Sequence, residues 1–426
     1  MRMDNETFRL KVENLFASVR SSEGALDPAV MAQLEKLAAT PRKGRYFLQA
    51  ASAHGDPELE ERFHRLVFSL TKTDQDAAEL ERHIRQMFYH KRERAKELLG
   101  KIAQRETLPA IFRVIAITEE GWLAGELIRI VLAVPPDELF EPLSEALDSK
   151  EYLLQCLAIY LIGKTGNDRL LHLLAQFYRR PVGEKVDRLE RKSLDALLEG
   201  GKSASDDLVC KWLKDKSSRV RDVGLTLARD RNLVAAAADV AGLLLVDAKN
   251  RAKAAETLLH FEREGIFAFD PAHPQAAPVA ALVQKAKAEA LQEALSSLMR
   301  DESAAVREAA VKLVRFLHDP RGVTGQVRRL AVEDRSAEVQ VAALRLLLAV
   351  DREKLTSALV DIFTEPVANR SGGREVLEAA SRLMESELSP EEVEAVKAGV
   401  KEAEEHREAA LNRFSGSVEW WRHDLT

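Results

Sequence analysis

Along most of this 426-residue chain, apolar side chains recur at steps of three and four. Between Glu81 and Arg105, Ile84, Phe88, Ala95, Leu99 and Ile102 share one face of a 3.6-residue period. After Ser389, the residues Val393, Val396, Val400, Ala403, Ala410, Leu411 and Phe414 repeat the pattern. No run alternates with a period of two between turn residues, so the pattern predicts an all-α chain with almost no sheet. Some helix starts are marked locally. Ser389-Pro390-Glu391-Glu392 sets a capping Ser before a first-turn Pro and a Glu at the third helical position.

One phrase recurs at longer range: an apolar helix end, an Asp, four mixed residues, then two positions that open a second helix. It stands at Asp148…Leu153-Leu154, Asp215…Val220-Arg221, Asp301…Val306-Arg307 and Asp334…Val339-Gln340. A degenerate copy is Asp247…Ala252-Lys253. In chain order the steps between these aspartates are 67, 32, 54 and 33 residues. Two steps equal one unit, the first is near two units, and the third is one unit plus an insertion. The Asp can end one helix and cap the N–H groups that open the next. The Val drops into the seam between the two helices. Ala309-Ala310 and Ala342-Ala343 let the second helix approach its neighbours closely. One such pair cannot bury its own apolar face, so the pairs are expected to stack into a continuous core.

These residues resemble the HEAT repeat in its short bacterial form. The resemblance is clearest at Leu298–Leu317 and Leu330–Leu348, and fades outside 105–350. It implies a right-handed α-solenoid that serves as a binding scaffold. Leu154, Gln340 and Lys253 stand where the family usually has Arg. An Asp–Arg ladder between successive repeats is therefore expected to be incomplete. The chain divides on this reading into a divergent helical N-terminal region (1–104), a repeat array (105–385), and a C-terminal capping helix with a Trp-containing tail (386–426). Within the array, 265–279 carries Pro271, Pro274 and Pro278 and reads as a loop insertion.

Five groups of residues bear on chemistry. Arg85, Tyr89, Arg92 and Lys96 fall at helical steps of 4, 3 and 4, a basic stripe with one aromatic. Such a stripe can hold phosphates and stack a base; an ordinary solvated helix face has the same pattern. Arg370, Gly372, Gly373 and Arg374 precede a predicted helix and suit an anion at its N-terminus, without a full phosphate-loop motif. His83 and His90 could share a face, yet no metal motif accompanies them, and Cys156 reads as a small core residue. Trp122 and Trp212 read as core or seam packing. HEAT-like DNA alkylation-repair glycosylases use aromatics with an Asp, and no matched set is found here. Finally, Ser415-Gly416-Ser417 reads as a flexible joint before Trp420 and Trp421, which either fold back on the array or anchor a partner.

Composition narrows the choice. The net charge is −6, from 63 basic and 69 acidic residues, which excludes a uniformly basic nucleic-acid binder. Residues 1–104 carry 18 basic and 16 acidic residues, and 386–426 carry 5 and 10, so the C-terminal end is acidic. Two cysteines cannot build a disulfide framework. No signal-peptide core opens the chain and no apolar run spans a bilayer, so a cytoplasmic protein is expected. The sequence points to a scaffold that binds a protein partner on a surface made by the second helices. No cofactor, metal or catalytic residue is expected. Nucleic-acid binding through Arg85–Lys96 is the alternative, and a solenoid enzyme the third reading.

Overall fold

The computed structural model describes residues 4–19, 26–180, 187–285, 287–364 and 373–423, with side chains as far as Glu408. The chain forms two compact units, Met1–Leu208 and Val209–Thr426. No strand occurs among the described residues.

In chain order the first helices are α1 (Asn5–Ala17), α2 (Pro28–Ala38), α3 (Gly44–His54), α4 (Pro57–Leu70), α5 (Asp74–Ile102) and α6 (Leu108–Ile117). They continue with α7 (Gly121–Leu132), α8 (Pro136–Asp148), α9 (Tyr152–Thr165), α10 (Asp168–Tyr178) and α11 (Asp187–Gly201). The two units divide within α12 (Asp206–Leu213). The second unit holds α13 (Ser218–Asp230), α14 (Ala237–Val246), α15 (Arg251–Arg263), α16 (Ala277–Lys285), α17 (Ala288–Leu298) and α18 (Ala304–Leu313). It ends with α19 (Arg321–Glu333), α20 (Ala337–Val350), α21 (Arg352–Thr364), α22 (Gly373–Ser386) and α23 (Pro390–His423).

Each unit is a stack of helical hairpins in two layers, an all-α solenoid. In the first unit α2, α4, α6, α8 and α10 pack on one another in order, and α1, α3, α5, α7, α9 and α11 form the other layer. In the second unit α13, α15, α18, α20 and α22 form the layer of second helices, opposite α14, α17, α19, α21 and α23. The core lies between the layers. Val220, Val306 and Val339, each in the first turn of a second helix, are fully buried there. Each such side chain contributes about 1.5–3 kcal/mol of apolar burial. Small residues set the closest approach. A Cβ on Gly163 of α9 would lie 2.9 Å from the Cβ of Ala196 on α11, so the two backbones meet almost without side chains between them.

A polar ladder links successive hairpins of the second unit. Asp215, Asp301 and Asp334 each accept the N–H two residues on, at 2.9 Å, which closes the turn before the next helix. Arg221 donates to the carbonyls of Asp215 (2.7 Å) and Lys216 (3.0 Å) in its own hairpin, and to Asp247 of the next (2.7 Å). Arg307 repeats this with Asp301 and Glu302, and grips Asp334 through two bonds of 2.8 Å. The expected gap at Lys253 is closed by another residue. Arg251, two positions earlier, reaches Asp301 at 3.4 Å, while Lys253 pairs with Asp222 at 2.8 Å. The ladder thus runs unbroken from Arg221 to Asp334. At Asp247 burial raises the carboxyl pKa, but the bonds from Arg221 and Asn250 outweigh it and the net shift is downward.

The copy at Asp148 is displaced by one residue. Ser149, not Asp148, accepts the N–H that closes the turn (from Glu151, 3.1 Å), and Asp148 pairs instead with Arg180 at 2.6 Å. Leu154 then takes the buried seat of the Val, and Gln155 takes the seat of the Arg, donating to the carbonyl of Leu147 at 3.1 Å. Gln340 does the same toward Val332 at 3.0 Å. A Gln can brace its own hairpin in this way, but it is too short to bridge to the next.

The proline-rich insertion is only half a loop. Phe267 and Phe269 pack edge to face, 5.1 Å apart, and are buried. Pro274 opens a 3-10 turn and Pro278 sits in the first turn of α16, where a missing N–H costs nothing. At the C-terminus Ser389 and Glu392 form the reciprocal cap, and α23 packs along α21 through the buried Val396. The helix continues through Ser415-Gly416-Ser417, where a joint was expected. Trp420 and Trp421 lie within it, and their side chains are outside the described ones.

The core of the first unit holds a histidine pair that no local sequence pattern announces. His64 on α4 and His83 on α5 are fully buried, with Nε2 atoms 3.0 Å apart. His64 Nδ1 lies 2.7 Å from the carbonyl oxygen of Glu60. Burial is the main cause that pushes His64 down to about 4, against the pull of Glu60 and with a smaller push from Arg94. Burial, then His64 and Arg45, lower His83 as well.

Two expectations follow. Arg307→Ala should cost about 3 kcal/mol, because Asp334 is left buried and unpaired. Arg251→Ala, on a longer and more exposed pair, should cost about 1 kcal/mol. Urea midpoints of the two variants check the ranking. For the histidines, the folded pKa lies below the unfolded value of 6.5, so the unfolded chain takes up protons first. Their stabilisation is complete above pH 6.5 and is lost as the pH falls toward 4, by about 3 kcal/mol for His64. Thermal melting from pH 7 to 4.5 should show this slope, and a His64→Leu/His83→Leu double variant should flatten it.

Candidate partner-binding surface

The basic stripe lies on α5, but not as a straight line. Lys91 has non-helical angles (φ −148°, ψ 63°), so the helix kinks between Tyr89 and Arg92. The run Tyr89-His90-Lys91-Arg92 holds neither Pro nor Gly, which is why spacing alone suggested a continuous helix. Nor are the predicted cations free. Arg85 lies 3.7 Å from Glu81 and 3.6 Å from Glu120 on the neighbouring hairpin. Arg92 pairs with Glu126 of α7, and Lys96 lies 3.3 Å from Glu93 and 3.9 Å from Glu126. Arg129 reaches the same Glu126 at 3.1 Å. Glu126 is only 5% exposed, and the hydrogen bond from Arg92 holds its carboxyl below the usual range. One buried carboxylate thus organises three surface cations.

What this face offers instead is aromatic. Tyr89 is 68% exposed and meets Trp122 of α7 edge to face at 5.6 Å. Trp122 is 39% exposed, so it is not the core residue that its position suggested. Its inner edge rests on the buried Phe88, 5.9 Å away, and its Nε1 donates to Glu120 at 3.2 Å. Gly121 and Gly125 beside it leave open space where side chains would stand. On α9, which packs against α7, Tyr152, Leu153 and Tyr160 are exposed. Tyr152, Cys156, Tyr160 and Lys164 recur every four residues along that helix. Cys156 is half-buried on this line, not in the core. Lys164 lies over the Tyr160 ring and pairs with Glu199 of α11 at 2.6 Å. Three consecutive second helices therefore present exposed aromatic side chains, with Trp122 held from beneath by Phe88 and with Arg85, Arg92, Lys96 and Lys164 already paired. The period-four line on α9 was visible in the sequence; its direction was not, since the other face of α9 is apolar too.

The remaining candidates are less equipped. Arg370 and Gly372 lie outside the described residues, Gly373 opens α22, and Arg374 pairs with Glu378 at 3.1 Å. Trp212 is buried. Among the described residues no group of three or more His, Cys, Asp or Glu is placed to hold a metal ion, and no helix is long and apolar enough to cross a membrane.

Residues 287–314 match a family model described as the HEAT repeat associated with sister chromatid cohesion. That stretch contains α17, the Asp301 turn and α18. No curated protein matches the chain. Among solved structures, an engineered protein from a structural genomics consortium is 14% identical, with a TM-score of 0.27, over 95% of this chain and 96% of that one. A structure titled for tubulin recruitment and assembly by microtubule polymerases with TOG domain arrays is 11% identical, with a TM-score of 0.23, over 94% and 98%.

Glu126 gives a direct test of the charge arrangement. Glu126→Gln leaves three cations without their shared partner and should cost about 2 kcal/mol, against less than about 1 kcal/mol for the exposed Arg129→Ala. Chemical denaturation of both variants measures the difference.

Proposed function

We propose that this chain of HEAT-type repeats is a non-enzymatic scaffold that holds a protein partner on its second-helix face, with Tyr89, Trp122, Tyr152 and Tyr160 as anchors. The observation that carries the reading is the exposure of these rings on three packed neighbours, beside Arg85, Arg92, Lys96 and Lys164, which already have carboxylate partners. Tyr and Trp are favoured anchors because they offer large, rigid contact area at little entropic cost. HEAT-repeat scaffolds generally mediate protein interactions, which agrees with this assignment. The repeat residues Asp215, Val220, Arg221, Asp301, Val306, Arg307, Asp334 and Val339 then hold the frame and do not touch the partner. Trp420 and Trp421 are retained as a second proposed contact.

Nucleic-acid binding is not favoured. A stripe in which Arg85, Arg92 and Lys96 face carboxylates releases few counterions on meeting a phosphate backbone.

The experiment is affinity capture from nuclease-treated lysate with the full chain, a Tyr89→Ser/Trp122→Ser variant, and a chain ending before Ser415. The double variant should stay folded with a lower melting temperature, because Trp122 gives up its packing on Phe88. Proteins captured by the wild type and lost from the double variant support the aromatic face, and loss on truncation assigns the tail. Capture that is unchanged in both variants sinks the proposal. Recovery of nucleic acid alone, falling steeply with salt, would replace it with the basic stripe.

A further inference from the structure

The histidine pair leaves one polar atom open. The Glu60 carbonyl can only accept, so His64 Nδ1 carries the proton. Neutral His64 then presents a bare Nε2, and His83 Nε2 must donate to it. Neutral His83 has a single proton, which leaves its Nδ1 as an acceptor. His83 is 3% exposed, and this nitrogen has no partner among the described residues.

His83 lines a cavity of about 400 Å3 among α1, α3, α4 and α5. Most polar groups in the wall are already matched: Arg9 with Glu13 at 3.2 Å, Gln49 with Gln86 at 2.8 Å, and Arg94 with Glu60. Lys91 and His90 line the same cavity, are exposed, and pair with no described residue. They sit on α5 two turns or so beyond His83, at the kink. The cavity therefore combines the open acceptor of His83 and the buried, unpartnered Ser52 Oγ with an unpaired ammonium. Eight residues of helix rise is roughly 12 Å, and the Lys side chain spans about half of it. The two groups suit a solute whose donor and charge stand several bonds apart.

We propose that this cavity binds a small organic anion that also carries a hydroxyl or amine. The hydroxyl or N–H donates to His83 Nδ1, and the phosphate or carboxylate sits against Lys91 and His90. The volume fits a solute in the usual small-molecule range. This site is separate from the aromatic face and does not depend on it.

The test uses the full chain and matched probes. Glucose 6-phosphate and glucuronate carry both features, in phosphate and carboxylate form. n-Hexyl phosphate lacks the hydroxyls and glucose lacks the charge. Titrations are followed by calorimetry and by the ring-nitrogen NMR signals of His83. Saturable binding of at least one hydroxylated anion, at least tenfold tighter than hexyl phosphate and glucose, with a shifted His83 Nδ1 signal, is the expected result. Lys91→Ala, an exposed substitution that leaves the core intact, should weaken it about tenfold, roughly one ion pair's worth. Absence of saturable binding by both hydroxylated anions overturns the proposal. So does equal binding of hexyl phosphate, an unmoved His83 signal, or affinity unchanged in Lys91→Ala.

Discussion

Everything in this molecule depends on the inability of a short helical hairpin to enclose its own core. A helix of ten to fifteen residues has two apolar flanks, and its hairpin partner covers one of them. The other must be covered by the next hairpin. This forces the two-layer stacking in each unit and places Val220, Val306 and Val339 in fully buried seats. It also explains why the side chains that register one hairpin against the next are polar. Apolar packing tolerates sliding by a residue or a turn, whereas a two-pronged Arg on a carboxylate does not.

The hairpins were legible wherever this registration is made by Asp and Arg at fixed spacing, as at Asp215, Asp301 and Asp334. Legibility failed where another residue does the same physical job. Ser149 closes a turn as an Asp would, so the copy beginning at Asp148 was placed one residue early. Arg251 opens α15 two positions before the seat the spacing rule assigned to Lys253. The direction in which a half-apolar helix faces was also hidden. Trp122 and Cys156 sit in apolar runs that read as core, yet both lie toward the surface, because α7 and α9 bury only part of their apolar residues. The basic stripe was legible as a list of residues and misleading as chemistry, since the carboxylates that answer it come from the next hairpin. The histidine pair joins residues on two helices 19 positions apart, and no local pattern announces such a contact.

Two carboxylates of the first unit sit low, near the core, and cations reach over them from the surface. Glu126 gathers Arg92, Lys96 and Arg129, and Glu60 takes Arg94. The arrangement places the acid where its burial is offset by several donors and leaves the long cationic stems to cover apolar surface. Rings such as Tyr89 and Trp122 then stand clear of Arg85, Arg92 and Lys96, which are held by carboxylates.

The rung from Arg251 to Asp301 spans 50 positions of sequence, against 26 and 27 for its neighbours from Arg221 and Arg307. The additional residues enter between one end of the rung and the other, so the ladder is blind to how many there are. A repeat protein that fixes its spacing by side chains, and not by chain length, has a place where material can be added or removed over evolutionary time without retuning the stack. The buried phenylalanines at 267 and 269 show that such material need not stay idle: once admitted, it can be recruited into the core.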